Sequence, residues 1–211
     1  MSAGGTAGQA AAVTVYVGLG GNVGDRLAHL RGAVAALAAH PRLEVTARSR
    51  VWETEPVGTG PQAPYLNACV AVRTDLAPLD LLAALKGLEA AAGRAPDGHN
   101  LPRTLDLDIL LYGDRVVSDG RLRVPHPELG RRAFVLEPLA EIAAAVRCPD
   151  SGETIGDACA KIRRKPGPWV RPYDGGGLDG GDLNGGDLNG GGLDGGGLDG
   201  ADWDGADGRG D

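Results

Sequence analysis

Two aspartates interrupt an otherwise apolar run in the stretch PRTLDLDILLYG, residues 102–113. Side chains alternate between the two faces of a β-strand, so Asp106 and Asp108 are predicted to point the same way, roughly 7 Å apart. Like charges at that spacing repel each other unless a cation lies between them. Such a site suits Mg²⁺, which prefers one or two carboxylates and leaves its remaining positions to water and phosphate oxygens. Arg103, three residues before the first aspartate, can bind the anion that such a metal would hold.

A strand with a merely solvated outer face is the simpler interpretation of an isolated Asp-x-Asp pattern. The rest of the chain favours the metal site, because its elements can position the two carboxylates. Hydrophobic periodicity and turn residues predict strands over 13–19, 43–52, 65–74 and 105–112, and helices over 25–39 and 78–93. This order predicts a ferredoxin-like βαββαβ core of the α+β class, an antiparallel sheet with helices packed on it.

Further elements are predicted after this core. They are a hairpin around Gly113 and Asp114, a helix over 132–145 and a last helix over 154–163. An antiparallel sheet of this size needs cover on its second face, and these later segments are available to supply it.

The composition of the 211-residue chain changes abruptly at Asp174. From there to the end, ten aspartates and one arginine give a charge of −9, whereas the preceding 173 residues hold 18 acidic and 20 basic residues. The latter balance excludes a basic nucleic-acid surface and is compatible with arginines gathered around a small polyanion. We therefore predict a disordered leader over 1–12, a folded domain over 13–173 and a disordered, low-complexity Gly/Asp-rich tail over 174–211.

The cysteine pattern and the termini predict a cytoplasmic protein. Cys69, Cys148 and Cys159 are odd in number and widely separated, as expected of reduced thiols. The N-terminus lacks the pattern of a signal peptide, and the apolar runs are shorter than a membrane span. No membrane association is expected.

Five segments together resemble one family, the 6-hydroxymethyl-7,8-dihydropterin pyrophosphokinases of folate biosynthesis. They are GLGGNVGDR, WETEPVG, PYLNACV, PRTLDLDILLYG and VPHPELGRRAFVLEPLAEI. The resemblance implies an ATP-dependent diphosphotransferase. It would move the pyrophosphoryl group of ATP to 6-hydroxymethyl-7,8-dihydropterin and release AMP, with two Mg²⁺ ions as cofactors. It also implies a monomer whose partners are these two small molecules.

The resemblance further implies roles for individual residues. Those matching the metal ligands are Asp106 and Asp108, and with Arg94 and Arg103 they form the expected catalytic set. The positions matching the ATP site are Glu89, Arg94, Arg103, Ile109, Arg121, His126 and Arg132. The positions matching the pterin site are Thr54, Pro56, Val57, Tyr65, Asn67 and Phe134.

Some positions depart from the family pattern. The loop over 94–101 is about one residue shorter than expected and carries Pro96 where a second arginine is common. Because such a loop closes over substrates, these departures leave open a pterin- or nucleotide-binding protein of the same fold with weakened turnover. A small-ligand regulatory domain is a further alternative, since one fold hosts many functions. The intact aspartate pair favours the enzyme, because neither alternative requires a paired metal site.

Overall fold

The computed structural model describes residues 11–56, 62–94 and 102–179. The β-strands in this part of the chain are β1 (Val13–Gly21), β2 (Leu43–Arg48), β3 (Trp52–Thr54), β4 (Tyr65–Thr74), β5 (Asp106–Tyr112), β6 (Val117–Asp119), β7 (Leu122–Val124) and β8 (Val170–Pro172). The α-helices are α1 (Arg26–Ala39), α2 (Pro78–Ala91), α3 (Ala133–Ala143) and α4 (Ile155–Arg163). Asp25 and Thr154 cap α1 and α4 with their side chains, and Pro78 begins α2, as their residue types favour.

The main sheet confirms the predicted antiparallel α+β, ferredoxin-like arrangement. Its strand order is β5-β1-β4-β3-β8, and β2 also pairs with β4. The single strand predicted over 43–52 is two strands, β2 and β3, which pair with successive parts of β4. The interruption occurs at Ser49, whose hydroxyl accepts a hydrogen bond from the backbone N–H of Cys69 at 2.8 Å.

Each face of the sheet has its own apolar core. On one face, leucines of α1 and α2 pack against alternate residues of β1, β4 and β5, including Val17, Val70 and Leu107. On the other face, α3 and α4 pack against Cys69, Leu110 and neighbouring residues. The later helices therefore cover the second face, as the sequence predicted. Within the described residues, no helix is both long enough and apolar enough to cross a membrane.

The chain after β5 differs from the sequence prediction. Gly113, with φ of +53°, turns the chain out of β5, but the next strand does not fold back as a hairpin partner. Instead β6 pairs with β7 in a separate two-stranded sheet, so the predicted hairpin around Gly113 and Asp114 is wrong. The residues after β7 return to β5, where the N–H of His126 donates to the carbonyl of Leu110 at 3.0 Å.

Packing also continues beyond the predicted start of the tail at Asp174. Leu178 is only 6% exposed and belongs to the core beside α1. Arg31 of α1 donates from Nε to the carbonyl of Gly177 at 2.9 Å. Residues 174–179 are therefore part of the packed structure. Residues 1–10 and 180–211 lie outside the described residues, so disorder there stays a prediction.

The end of β1 approaches the segment before β5 too closely for any side chain. A Cβ atom on Gly21 would lie 2.4 Å from the carbonyl oxygen of Thr104. The next residue, Asn22, donates its N–H to the carbonyl of Arg103 at 2.9 Å, and its Oδ1 accepts from the N–H of Arg103 at 2.9 Å. This contact fixes the backbone that presents Arg103.

We expect Gly21→Ala to lower the free energy of unfolding by about 2 kcal/mol, because the added methyl must displace backbone rather than a side chain. Gly32→Ala is the matched control: it lies in α1 with open space around it and should stabilise the protein by about 1 kcal/mol. Urea unfolding measures both. Equal stability of the two variants would contradict the close approach.

A chain ending after Tyr173 should be less stable than one ending after Asp179 by about 2 kcal/mol, the value of burying one leucine side chain. The two truncated proteins differ only in residues 174–179, which contain Leu178. Thermal unfolding of both tests this expectation, and identical transitions would show that the burial of Leu178 contributes nothing.

Candidate active site

One row of paired residues crosses the sheet on the face that α3 covers. In register, Asp106 of β5 lies opposite Gly20 of β1, Gly20 opposite Asn67 of β4, and Asn67 opposite Trp52 of β3. Strands in a sheet are about 4.8 Å apart, so Asp106 and Asn67 are separated by about 10 Å with only a glycine between them. Between Asp106 and Asn67 the row therefore presents a carboxylate, then bare backbone, then an amide, and Trp52 follows beyond the amide.

A cavity lies above this row. Asp106, Asp108, Gly18, Gly20, Asn67 and Tyr65 line it from the sheet. Thr54 and Glu55 line it from β3 and the residue after it, and Arg103 from the segment before β5. His126, Arg132, Phe134 and Val135 close it from the segments after β7 and at the start of α3. Most of the site residues predicted from sequence thus surround one space.

Asp106 is surrounded by positive charge. Its carboxylate accepts hydrogen bonds from the guanidinium groups of Arg94 and Arg103, one on each oxygen. Burial acts to raise the pKa of Asp106, but the charges of Arg103 and Arg94 outweigh it, and the net pKa lies below the usual range. Asp106 therefore remains ionised while held between two arginines.

Asp108 is in the opposite electrostatic situation. Burial raises the pKa of Asp108, and the negative charge of Asp106 raises it further; His126, Lys86 and Arg94 offset only part of this effect. The two carboxyls thus have pKa values shifted in opposite directions, as expected when like charges share a buried site. A cation placed between them would favour the ionised form of both.

Glu89 of α2 has a role that the sequence did not indicate. Although predicted as part of the ATP site, it does not line the cavity and is only 2% exposed. Its Oε1 accepts from the N–H of Leu107 at 2.7 Å and from Lys86 Nζ at 2.8 Å, and lies 2.6 Å from Arg94 Nη1. Glu89 therefore links α2 to the strand that carries the aspartates and holds Arg94 beside Asp106.

His126 is oriented by its own backbone. Its Nδ1 accepts a hydrogen bond from the N–H of Glu128 at 3.2 Å, so the neutral imidazole carries its proton on Nε2. With Nδ1 occupied in this way, Nε2 is the ring nitrogen available to donate to an anion in the cavity.

The opposite end of the cavity presents flat and amide-bearing side chains. Asn67 donates from Nδ2 to Thr54 Oγ1 at 2.8 Å, which fixes the orientation of its amide. Tyr65 lies two residues before Asn67 on the same strand face, and its hydroxyl donates to Gln62 Oε1 at 3.3 Å. Phe134 reaches the cavity from α3, with the guanidinium of Arg132 5.6 Å from its ring centroid.

Several predicted site residues lie outside the cavity lining. The Ile109 side chain is 3% exposed and packs in the core on the far face of β5, so only its backbone is near the site. Arg121 is in the turn between β6 and β7 and bonds to Asp119. Arg94 reaches the site only through Asp106, and Pro56 does not line the cavity. Val57 and the loop residues 95–101 are outside the described residues.

The structure also adds residues that the sequence analysis missed. Asn22, 5% exposed, binds the backbone of Arg103 and donates from Nδ2 to Gln62 and to the carbonyl of Ala63, each at 3.3 Å. Glu55 joins the wall beside Thr54. A Cβ atom on Gly20 would lie 2.9 Å from Asn67 Oδ1, so glycine is needed beside that amide. The GLGGNVGDR segment carried part of the family resemblance, but its sequence does not indicate these partners.

The donor set fits magnesium. Within the described residues, no group of three or more His, Cys, Asp and Glu side chains could hold a metal ion by itself. A structural zinc site requires four protein ligands, whereas Mg²⁺ is bound by one or two carboxylates together with substrate phosphates. Asp106 and Asp108, side by side on the cavity wall, meet the second description.

Comparison with known proteins decides the family. The family model for 7,8-dihydro-6-hydroxymethylpterin-pyrophosphokinase matches residues 16–144, which span β1 to α3. The chain belongs to this family. The pyrophosphokinases are ATP-dependent diphosphotransferases, so the predicted enzyme class is confirmed, and neither alternative from the sequence gains support.

Two bacterial relatives carry the name 2-amino-4-hydroxy-6-hydroxymethyldihydropteridine pyrophosphokinase. The protein of Methylorubrum extorquens is 47% identical over 150 residues, covering 70% of this chain and 92% of its own. The protein of Bacillus subtilis is 42% identical over 153 residues, covering 72% and 92% respectively. Nearly the whole length of each of these two relatives thus aligns with residues of this chain.

The solved structures support the fold. A wild-type Plasmodium falciparum HPPK-DHPS crystal structure with STZ-DHP superposes with a TM-score of 0.57 at 13% identity, over 71% of this chain. The present chain covers only 43% of that longer protein. At this identity the likeness concerns the pyrophosphokinase fold alone.

Replacing Glu89 should reveal its structural role. We expect Glu89→Ala to lower the free energy of unfolding by about 3 kcal/mol, because it leaves the buried N–H of Leu107 without its acceptor and leaves Arg94 with Asp106 as its remaining carboxylate partner. Glu89→Gln retains an acceptor and should cost less. Lys86→Ala removes only a half-exposed partner and should cost under about 1 kcal/mol. Denaturant unfolding that ranks Lys86→Ala with Glu89→Ala would contradict this assignment.

Proposed function

We propose that this chain transfers the pyrophosphoryl group of ATP to 6-hydroxymethyl-7,8-dihydropterin, giving the pterin diphosphate and AMP in folate biosynthesis. The single observation that carries this proposal is the cavity with paired carboxylates and arginines at one end and an amide together with two aromatic side chains at the other. The family membership supports the same reaction. ATP, the pterin and Mg²⁺ are the expected ligands.

The carboxylate end suits the triphosphate. The hydroxymethyl oxygen attacks the β-phosphorus, the bond from that phosphorus to the oxygen bridging the α- and β-phosphates breaks, and AMP leaves. Mg²⁺ bound in the cavity would neutralise phosphate charge and polarise the attacking hydroxyl. Asp106 and Asp108 would hold this metal, for which two ions are expected. Arg103, Arg132 and the Nε2–H of His126 would bind phosphate oxygens.

Arg94 can serve the same anion after a change of partner. Its guanidinium bonds to Asp106 and lies against Glu89. If Asp106 held a metal ion, Arg94 would share that carboxylate with the metal, and the phosphates of ATP would offer Arg94 a new acceptor. The loop that follows Arg94 is the segment expected to close over the substrates.

The amide end suits a flat heterocycle. Tyr65 and Phe134 can pack against the two faces of the pterin ring, and aromatic pairs are favourable when stacked with an offset. Asn67 can donate and accept hydrogen bonds at the ring edge, with its orientation fixed by Thr54. Pro56 and Val57 are proposed to complete this wall through the backbone.

AMP formation tests the proposal directly. The full chain with ATP and Mg²⁺ should release AMP only when 6-hydroxymethyl-7,8-dihydropterin is present. AMP release that does not depend on the pterin, or no release from folded protein that binds both substrates, would contradict the transfer reaction.

Asp106→Asn and Asp108→Asn should each reduce kcat by about 1,000-fold, because each removes a carboxylate that holds the metal at the transferring phosphate. Asp114→Asn, in the exposed turn after β5, is the matched control and should retain the wild-type rate. Circular dichroism checks that the variants fold. Wild-type rates in both site variants would show that the metal is held elsewhere.

A further inference from the structure

A C-terminal segment follows the part of the chain that matches the family model, which ends at residue 144. Residues 169–179, here called the strap, run from the outer edge of the sheet to α1. None of the residues assigned to ATP, metal or pterin lies in the strap. Its contacts nevertheless converge on β3, the strand that leads into the cavity wall.

The strap holds β3 through the backbone. In β8, Pro172, Arg171 and Val170 pair with Trp52, Glu53 and Thr54 of β3. The pairing continues at both ends, where the N–H of Glu55 donates to the carbonyl of Trp169 at 3.1 Å and the N–H of Tyr173 donates to the carbonyl of Val51 at 2.9 Å. The N–H of Trp169 also donates to Glu55 Oε2 at 3.3 Å.

A carboxylate joins the strap to two other segments. Arg171 lies 2.7 Å from one oxygen of Glu53, and Arg26 of α1 lies 3.0 Å from the other. The same Arg26 donates to the carbonyl of Pro64, just before β4, at 2.7 Å. The hydrogen bond from Arg171, together with Arg26, lowers the pKa of Glu53 despite its burial. Glu53 therefore ties β3 to β8, α1 and the start of β4.

The far end of the strap is anchored in the core. The side chain of Leu178 is buried, and Arg31 holds the carbonyl of Gly177. Between the anchors, Tyr173 packs against the core with its ring centroid 5.9 Å from the guanidinium carbon of Arg26. The strap is thus fixed at both of its ends.

We propose that the strap positions the pterin-binding wall of the cavity. β3 is three residues long and carries Thr54, which fixes the Asn67 amide, and is followed directly by Glu55, which lines the cavity. So short a strand paired on one side only is marginally held, and the strap supplies its second partner. The nature of the ligand at this wall rests on the proposed function; the positioning itself does not.

Point variants of the full chain test this role. Arg171→Pro removes both the Glu53 partner and a backbone donor of β8, Arg171→Ala removes the side chain alone, and Arg171→Lys restores a cation. We expect Arg171→Pro to raise KM for the pterin about fivefold with kcat and KM for ATP unchanged, since only binding at one wall is weakened. Arg171→Ala should have a smaller effect, and Arg171→Lys should recover most of it.

A second readout is independent of catalysis. Hydrogen exchange at the Glu55 amide, which donates to Trp169, should accelerate in Arg171→Pro and in Leu178→Ala, because both loosen the strap. Arg42→Ala is the matched control: it breaks an exposed pair with Asp75 near the opposite end of β4 and should change neither pterin KM nor this exchange rate.

The outcomes separate the two proposals. Faster Glu55 exchange with an unchanged pterin KM would overturn the positioning role, and so would equal rises in KM for ATP and pterin. Unchanged Glu55 exchange in Arg171→Pro would show that β3 does not depend on the strap. A wild-type chain that makes no AMP would instead contradict the proposed function, while the exchange measurement would still test the strap.

Discussion

The repulsion between Asp106 and Asp108 is the constraint on which the site depends. Two carboxylates on one strand face, both largely withdrawn from water, are unfavourable unless positive charge is placed around them. The protein meets this requirement unevenly, with two guanidinium groups on Asp106 and mainly longer-range cations for Asp108. This unequal arrangement keeps Asp106 ionised, whereas a bound metal ion would favour the ionised form of Asp108.

The same constraint also involves the residues that hold the two arginines in place beside Asp106. Arg94 is held by Glu89, which also accepts the Leu107 N–H between the two aspartates, and Arg103 is held by Asn22 through both backbone groups. The close approach of Gly21 to Thr104 in turn places the segment that Asn22 binds. The electrostatics of the aspartate pair therefore depend on α2, on the end of β1 and on the strand register together.

Features with a strong local signal were predictable from the sequence. The alternation of Leu and Asp placed both carboxylates on one face, and the bounds of β4 match the predicted strand. Features set by distant partners were not. Nothing local distinguishes Glu89 from a solvated helix charge, because its partner is a backbone amide 18 positions away. β8 is too short to show a periodic pattern of apolar residues. Leu178 lies in a low-complexity sequence, whose repeated leucines give no sign of which one is buried. The interruption at Ser49 depends on Cys69 of another strand.

Where β1 forms the floor of the cavity, that floor is main chain rather than side chains, because Gly18 and Gly20 face the cavity there. Glycine has no side chain that a substitution could shorten. Any substitution at these two positions therefore reduces the space available to the ligand, and none can enlarge it. Changes that enlarge the space must therefore arise in the walls. A substitution at Gly18 or Gly20 that excludes an inhibitor bound flat on this floor would therefore also reduce the space for the natural ligand.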